Sequence, residues 1–218
     1  MDPQALIYTA DVALSGTLSS TLRRQRLEPV CAGRLGAALH LLRSRKFPAV
    51  IVDCSDRSAA TDIFQLCRST GSNRSSVVFA LTEGNESASS WGVNFAVKRP
   101  AGSDLRAFTT VLRAADGMIR QDFRRYRRIP VLSTAVLDND EHRLQLSTLN
   151  ISEGGMCVHG EVPGWNKEHI IEFHHPVSNL RFKANTYTVW SRNGKSGLQF
   201  RFMSNAAREA LSSWIEAQ

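Results

Sequence analysis

Residues 120–130 read Arg-Gln-Asp-Phe-Arg-Arg-Tyr-Arg-Arg-Ile-Pro and place five arginines in nine positions against one aspartate. Guanidinium groups are planar, permanently charged forks. They can pair with the O6 and N7 edge of guanine, stack on a purine face and neutralise phosphate, whereas lysine does only the last. One hairpin's length further on, residues 150–155 read Asn-Ile-Ser-Glu-Gly-Gly. Asn150 and Ser152 offer short hydrogen-bonding arms, and Gly154 and Gly155 leave room for backbone amides to approach a ligand. An Arg-x-x-x-Arg (Arg124, Arg128) with Arg125 beside it, answered by Asn-x-Ser-x-x-Gly, suits a ligand carrying both phosphates and guanine edges. Arg127 is expected to face water. A second set of polar residues, Asp11, Asp53, Thr82 and Lys98, stands at the ends of short apolar runs, where parallel sheets keep their sites.

The elements that must hold these residues can be read from periodicity. Residues 5–10 form a short apolar run ending at Asp11, followed by a helical pattern of Leu14, Leu18 and Leu22 that closes in a basic turn. Residues 29–32 predict a second strand, Leu35, Leu39 and Leu42 a second helix, and residues 47–52 a third strand that delivers Asp53. Ile63, Phe64 and Cys67 mark a third helix, residues 77–81 a fourth strand ending at Thr82, and residues 93–97 a fifth ending at Lys98. Strands alternating with helices predict an α/β unit with a doubly wound parallel sheet. Ser103 is expected to cap one amphipathic helix carrying Leu105, Phe108, Leu112, Ala115 and Ile119, whose seam would also suit pairing with a second copy of the chain. That helix should run on toward Arg124 with no flexible linker, so the orientation of the two halves is expected to be constrained.

From Pro130 the period changes to two. Residues 131–137 and 143–149 flank a turn at 138–141. Further runs follow at 156–159, 169–174, 181–190, the longest, and 196–202, with turns at Pro163-Gly164 and Asn193-Gly194. Six strands without an intervening helix predict an all-β antiparallel barrel. A final helix over 205–217, with Leu211, Trp214 and Ile215 on one face, would cover one of its openings. The expected domains are 1–118 and 119–218.

The paired motifs, placed before the first barrel strand and after the second, resemble the PilZ family of cyclic di-GMP receptors. Trp190, Gly197 and Phe200 fit that family's closing hairpin. The resemblance covers roughly residues 120–205 and implies Arg124, Arg125, Arg128, Asn150, Ser152, Gly154 and Gly155 as ligand-binding residues. The first half resembles the receiver domain of bacterial response regulators. That likeness implies Asp53 as a phosphoryl acceptor, Asp11 as a magnesium ligand, and Thr82 and Lys98 as contacts to the phosphoryl oxygens. The sequence departs from the receiver pattern at Ala10, where a second acid is usual, and at Arg99, which interrupts the Lys-Pro pair. Only sixteen positions separate Thr82 from Lys98, so the helix between them should be shortened or absent.

Bulk properties agree with a signalling module. The 218 residues, 42% hydrophobic and 22% charged, can bury a real core, and the longest apolar run is too short for a membrane span. With no leader pattern at the start, the expected location is the cytoplasm. Cys31, Cys54, Cys67 and Cys157 are too scattered for a zinc site or a disulfide framework and are expected as small buried hydrophobes. Residues 1–119 hold 14 basic and 10 acidic side chains and residues 120–218 hold 13 and 10, so the net +7 is a local excess. A phosphate-bearing small molecule fits this distribution better than the long backbone of a nucleic acid. His174 and His175 are neighbours on one strand and point to opposite faces, and no nucleophile–base set has supporting context.

The resulting expectation is a non-enzymatic cyclic di-GMP effector that signals to a protein partner. It needs no cofactor of its own, and magnesium only if the receiver-like site works. Two readings from other classes stay open: a phosphorylation-driven regulator acting through Asp53, and a nucleic-acid-binding regulator using the arginines as phosphate contacts.

Overall fold

The computed structural model describes every residue except 1, 70–71, 85–87, 103, 139–142 and 163–167. The expected cap at Ser103, the turn at Pro163-Gly164 and most of the turn at 138–141 lie outside the described residues. The chain divides into two compact units, Met1–Phe123 and Arg124–Gln218. Among the described residues no helix is long and apolar enough to cross a membrane.

The first unit runs β1 (Gln4–Tyr8), α1 (Val12–Arg24), β2 (Glu28–Ala32), α2 (Leu35–Ser44), β3 (Ala49–Asp53), α3 (Arg57–Ser69), β4 (Val77–Thr82), α4 (Ala88–Trp91), β5 (Phe95–Lys98), α5 (Arg106–Ala114) and α6 (Asp116–Tyr126). The five strands are parallel in the order β2-β1-β3-β4-β5. Strand periodicity divides the core into two layers. Ala5, Ile7, Ala49, Ile51 and Phe79 face Leu14, Leu18, Leu22, Phe108, Leu112 and Ile119. Leu6, Tyr8, Val50, Val52 and Val78 face Ala38, Leu42, Ile63 and Phe64 on the other side. With both faces covered, β3 and β4 are buried throughout, which is why they read as unbroken apolar runs. The order reverses between β1 and β3, so their carboxyl ends diverge and leave a crevice at Asp11 and Asp53. The fourth helix is shortened to one turn, as its sixteen-residue allowance required.

The expected single helix through Ile119 is instead two, meeting at Ala115, which closes α5 by donating from its amide to the Val111 carbonyl. All five residues of the seam are buried in this unit's own core, so the seam is consumed there.

The second unit holds β6 (Ile129–Pro130), β7 (Thr134–Asp138), β8 (Arg143–Ser152), β9 (Gly155–His159), β10 (Glu168–His175), β11 (Leu180–Arg192), β12 (Lys195–Met203) and α7 (Asn205–Glu216). The order β8-β7-β10-β11-β12-β9, with β9 returning to β8, closes a six-stranded antiparallel barrel, and β6 adds a two-residue rung on β8. The run expected as one strand over 131–137 is broken at 131–133. There the Thr148 hydroxyl accepts from the Ser133 amide and reaches the Val131 carbonyl, replacing rungs of the ladder. Asn193 and Gly194 turn the β11–β12 hairpin with φ of 54° and 66°, the left-handed pair that such a tight turn needs. Gly197 lies under the Trp190 indole, whose Nε1 would stand 2.3 Å from an added Cβ. Ser204 caps α7 by accepting from the Ala207 amide, and Leu211 and Ile215 enter the barrel core.

Candidate functional site

In the second unit the residues of both motifs meet at one hairpin tip. Arg124 and Arg125 occupy the last turn of α6, a position where the helix dipole favours cations. The chain then passes Arg128 into β6, whose rungs Ile129–Ile151 and Pro130–Asn150 pin it alongside the end of β8. Ser152 and Gly155 pair across the β8–β9 hairpin, so Glu153 and Gly154 form its two-residue turn. Arg128 Nη1 donates to Asn150 Oδ1 at 2.8 Å. Arg124 Nε lies 3.2 Å from Glu153 Oε1, and its Nη1 lies 3.5 Å from Glu216 Oε1 on α7. Arg125 and Arg128 are exposed, and Arg127 is half-buried.

The glycines and the serine of the turn have packing reasons. Gly155 lies against β12, where an added Cβ would come within 2.1 Å of the Leu198 carbonyl oxygen. Gly154 lies beneath Arg125, with the arginine Cγ 2.9 Å and its backbone oxygen 3.0 Å from such a Cβ, and its own carbonyl accepts from the Phe200 amide at 3.0 Å. Ser152 is buried and donates to the Gly155 carbonyl at 3.2 Å, so its hydroxyl braces the turn from inside. Gly155→Ala should therefore destabilise the barrel by about 3 kcal/mol, because backbone and not a flexible side chain blocks the new methyl. A lowered urea midpoint checks this. Gly154→Ala should lower that midpoint less than Gly155→Ala does, because its methyl meets the Arg125 side chain and, at 3.0 Å, the Arg125 carbonyl oxygen.

The first unit presents a different site from the one its four polar residues suggest. Asp11 caps α1, accepting from the Leu14 amide, and Asp53 is buried at the end of β3. Between them lies Arg99. Its Nε is 3.0 Å from Asp53 Oδ1, and its Nη2 is 2.9 Å from Asp11 Oδ2 and 3.3 Å from Asp53 Oδ2. Thr9 Oγ1 donates to Asp53 Oδ2 at 2.6 Å, and Ser55 donates to Oδ1 through both its hydroxyl and its amide. Burial pushes the Asp53 carboxyl up, but donation from Thr9, Arg99 and Ser55 outweighs it and holds the group below the usual carboxylate range. Asp11 is also held low, first by the Leu14 amide and then by Arg99.

Thr82 is buried, with its hydroxyl turned to the Gly84 carbonyl, and Lys98 is exposed. The magnesium that a receiver-like site implies does not fit these residues, because the space between the two carboxylates is filled by a guanidinium already bonded to both. Arg99 and Thr9 are thus site residues that the sequence reading missed. The available signal was Arg99 itself, which interrupts the Lys-Pro pair and, as the residue after a strand-end lysine, faces the other way.

Among the described residues no group of three or more His, Cys, Asp or Glu could hold a metal ion. Cys54, Cys67 and Cys157 are buried, whereas Cys31 is exposed, contrary to expectation. Burial pushes the Cys54 thiol up to about 12 and Cys67 to about 11, so neither is a nucleophile near neutral pH.

Residues 122–217 match the family model of the PilZ domain. No curated protein matches the chain. The solved structures it resembles include the PilZ domain of CeSA from a cellulose-synthesizing bacterium, 14% identical, covering 42% of this chain and 96% of that one with a TM-score of 0.36. Another is the Bacillus subtilis inhibitor of motility MotI/DgrA, 15% identical over 41% of this chain with a TM-score of 0.38; the chain spans about half of it, 48%. The chemotaxis response regulator CheY4 of Vibrio cholerae is 15% identical, covering 52% of this chain and 98% of that one with a TM-score of 0.46. Over residues 122–217 the chain matches the PilZ domain, and the unit that precedes this stretch in sequence is a doubly wound parallel sheet.

Proposed function

We propose that this protein is a non-enzymatic signalling effector that binds cyclic di-GMP at the Arg124–Arg128 segment and the tip of the β8–β9 hairpin. The observation that carries the reading is the Arg128–Asn150 bond. It joins the two motifs and fixes one guanidinium plane while Arg125 and the outer face of Arg128 stay open to solvent. A doubly negative dinucleotide with two guanine edges uses each property of such a group, namely charge, fork and flat face. Titration of the intact protein with cyclic di-GMP in a calorimeter should give saturable heat; no heat and no thermal shift would end the proposal.

Ligand binding would then reorient the two units for a protein partner in the cytoplasm. In support, α6 is one continuous helix. Its Ile119 lies in the first unit's core and its Asp122 pairs with Lys46 at 2.5 Å, while its last turn carries Arg124 and Arg125. Ordering the arginines therefore acts on the last turn of a helix whose earlier turns belong to the first unit. Interdomain distances measured with paired spin labels should change on saturation, and unchanged distances would remove this step. The first unit enters as a fixed module whose two acids are bridged by Arg99, which weighs against phosphorylation-driven control through Asp53.

A further inference from the structure

Glu153 fills a variable position of the turn motif, yet it is the best-connected residue of the tip. Its side chain is 15% exposed. One oxygen, Oε1, accepts from Ser212 Oγ at 2.6 Å and lies 3.2 Å from Arg124 Nε. Ser212 and Glu216 are four residues apart on α7 and so share a face, and Glu216 reaches the same guanidinium from the helix end. Three elements therefore converge on one guanidinium–carboxylate contact: the end of α6, the hairpin tip and the closing helix of the barrel. Arg124 is only 33% exposed and has carboxylates on two sides, so an incoming phosphate meets a cation that is already compensated.

We propose that Glu153 is an acidic latch that holds Arg124 and α7 together and sets the affinity of the ligand site, so that a phosphate on Arg124 opens the latch and loosens α7. The proposal rests on the cyclic di-GMP reading. A phosphate on the remaining donors of Arg124 comes close to both carboxylates, and this like-charge repulsion favours separating Arg124 from Glu153 and Glu216. The Ser212–Glu153 bond remains, and the face released is the flank about 100° round the helix from Leu211 and Ile215, which stay in the barrel core. The barrel keeps its core while that flank of its closing helix becomes free to meet a partner.

The test is Glu153→Gln in the full chain. The amide is isosteric and can still accept from Ser212, so folding is preserved while the charge is lost. The variant should bind cyclic di-GMP about fivefold more tightly than wild type, the range in which a partly exposed ion pair competes. Amide hydrogen exchange over 205–216 should speed up several-fold when wild type is saturated with ligand, and should already be faster in the ligand-free variant. Equal or weaker binding by the variant, or exchange in α7 that ligand leaves unchanged, overturns the latch while leaving the ligand reading intact. If neither form binds the dinucleotide, the ligand reading itself has failed and the ligand-driven latch goes with it. Tight binding by the variant alone would be the strongest support.

Discussion

Arg128→Ala should lower affinity for cyclic di-GMP about 100-fold, and Arg128→Lys should recover little of it. Arg128 is exposed and uses one nitrogen on Asn150, leaving the rest of its five donors free and its plane oriented. A hydrogen bond to a charged group contributes about 1.5–3 kcal/mol, and a bidentate contact to a guanine edge about 1–3 kcal/mol. About 3 kcal/mol lost at one residue corresponds to about 100-fold. Lysine keeps the charge but has neither fork nor flat face, so it restores only long-range attraction. Asn150→Ala, which removes the orienting acceptor and no charge, should lose about tenfold. None of the three changes touches the barrel core, so urea midpoints should match wild type. Should Arg128→Lys bind as tightly as wild type, the arginines act only as charges. A steep salt dependence of DNA binding would then favour the nucleic-acid reading.

The parts of this site that could be read in advance are those whose signal is local. Arg124, Arg128, Asn150 and Gly155 stand at short fixed offsets on either side of one strand pair, and a hairpin converts such offsets into contact. The barrel and the doubly wound sheet were legible for the same reason, since periods of two and near four follow from backbone geometry alone. What escaped depends on distant partners or on strand parity. Arg99 reaches Asp11 and Asp53 across separations of 88 and 46 residues. Lys98 and Arg99 are adjacent, so only one of them can face the crevice, and sequence alone does not say which. Ser152 was expected as a ligand arm, but the parity of β8 turns it inward to the Gly155 carbonyl. Glu153 carried no motif signal, because its importance comes from Ser212 and Glu216 more than fifty residues later. The break between β6 and β7 likewise comes from Thr148, a side chain on the opposite strand.

Replacing Arg99 with alanine should destabilise the first unit by about 2–3 kcal/mol at neutral pH and create a divalent-cation site that wild type lacks. Asp53 is only 5% exposed, and removing one member of a buried pair leaves the other charge desolvated, a loss of about 3–5 kcal/mol when nothing else compensates. Thr9 and Ser55 still donate to Asp53, and Arg99 is itself 25% exposed, which together reduce the loss. The double change Arg99→Ala with Asp53→Asn should recover most of it, because the amide needs no counter-charge. The pH dependence follows from the lowered Asp53. A carboxyl held below its unfolded value stabilises the fold at neutral pH and loses that contribution as pH falls through the folded value. In the variant, burial acts without the guanidinium to oppose it and Asp53 shifts upward, so the stability gap from wild type should close as pH drops below about 4. With the guanidinium gone, Asp11 and Asp53 offer the one or two carboxylates that magnesium accepts alongside water. Millimolar magnesium should raise the thermal midpoint of the variant and leave wild type unmoved. A variant as stable as wild type, or a magnesium shift in wild type, would mean that Arg99 does not hold this crevice closed.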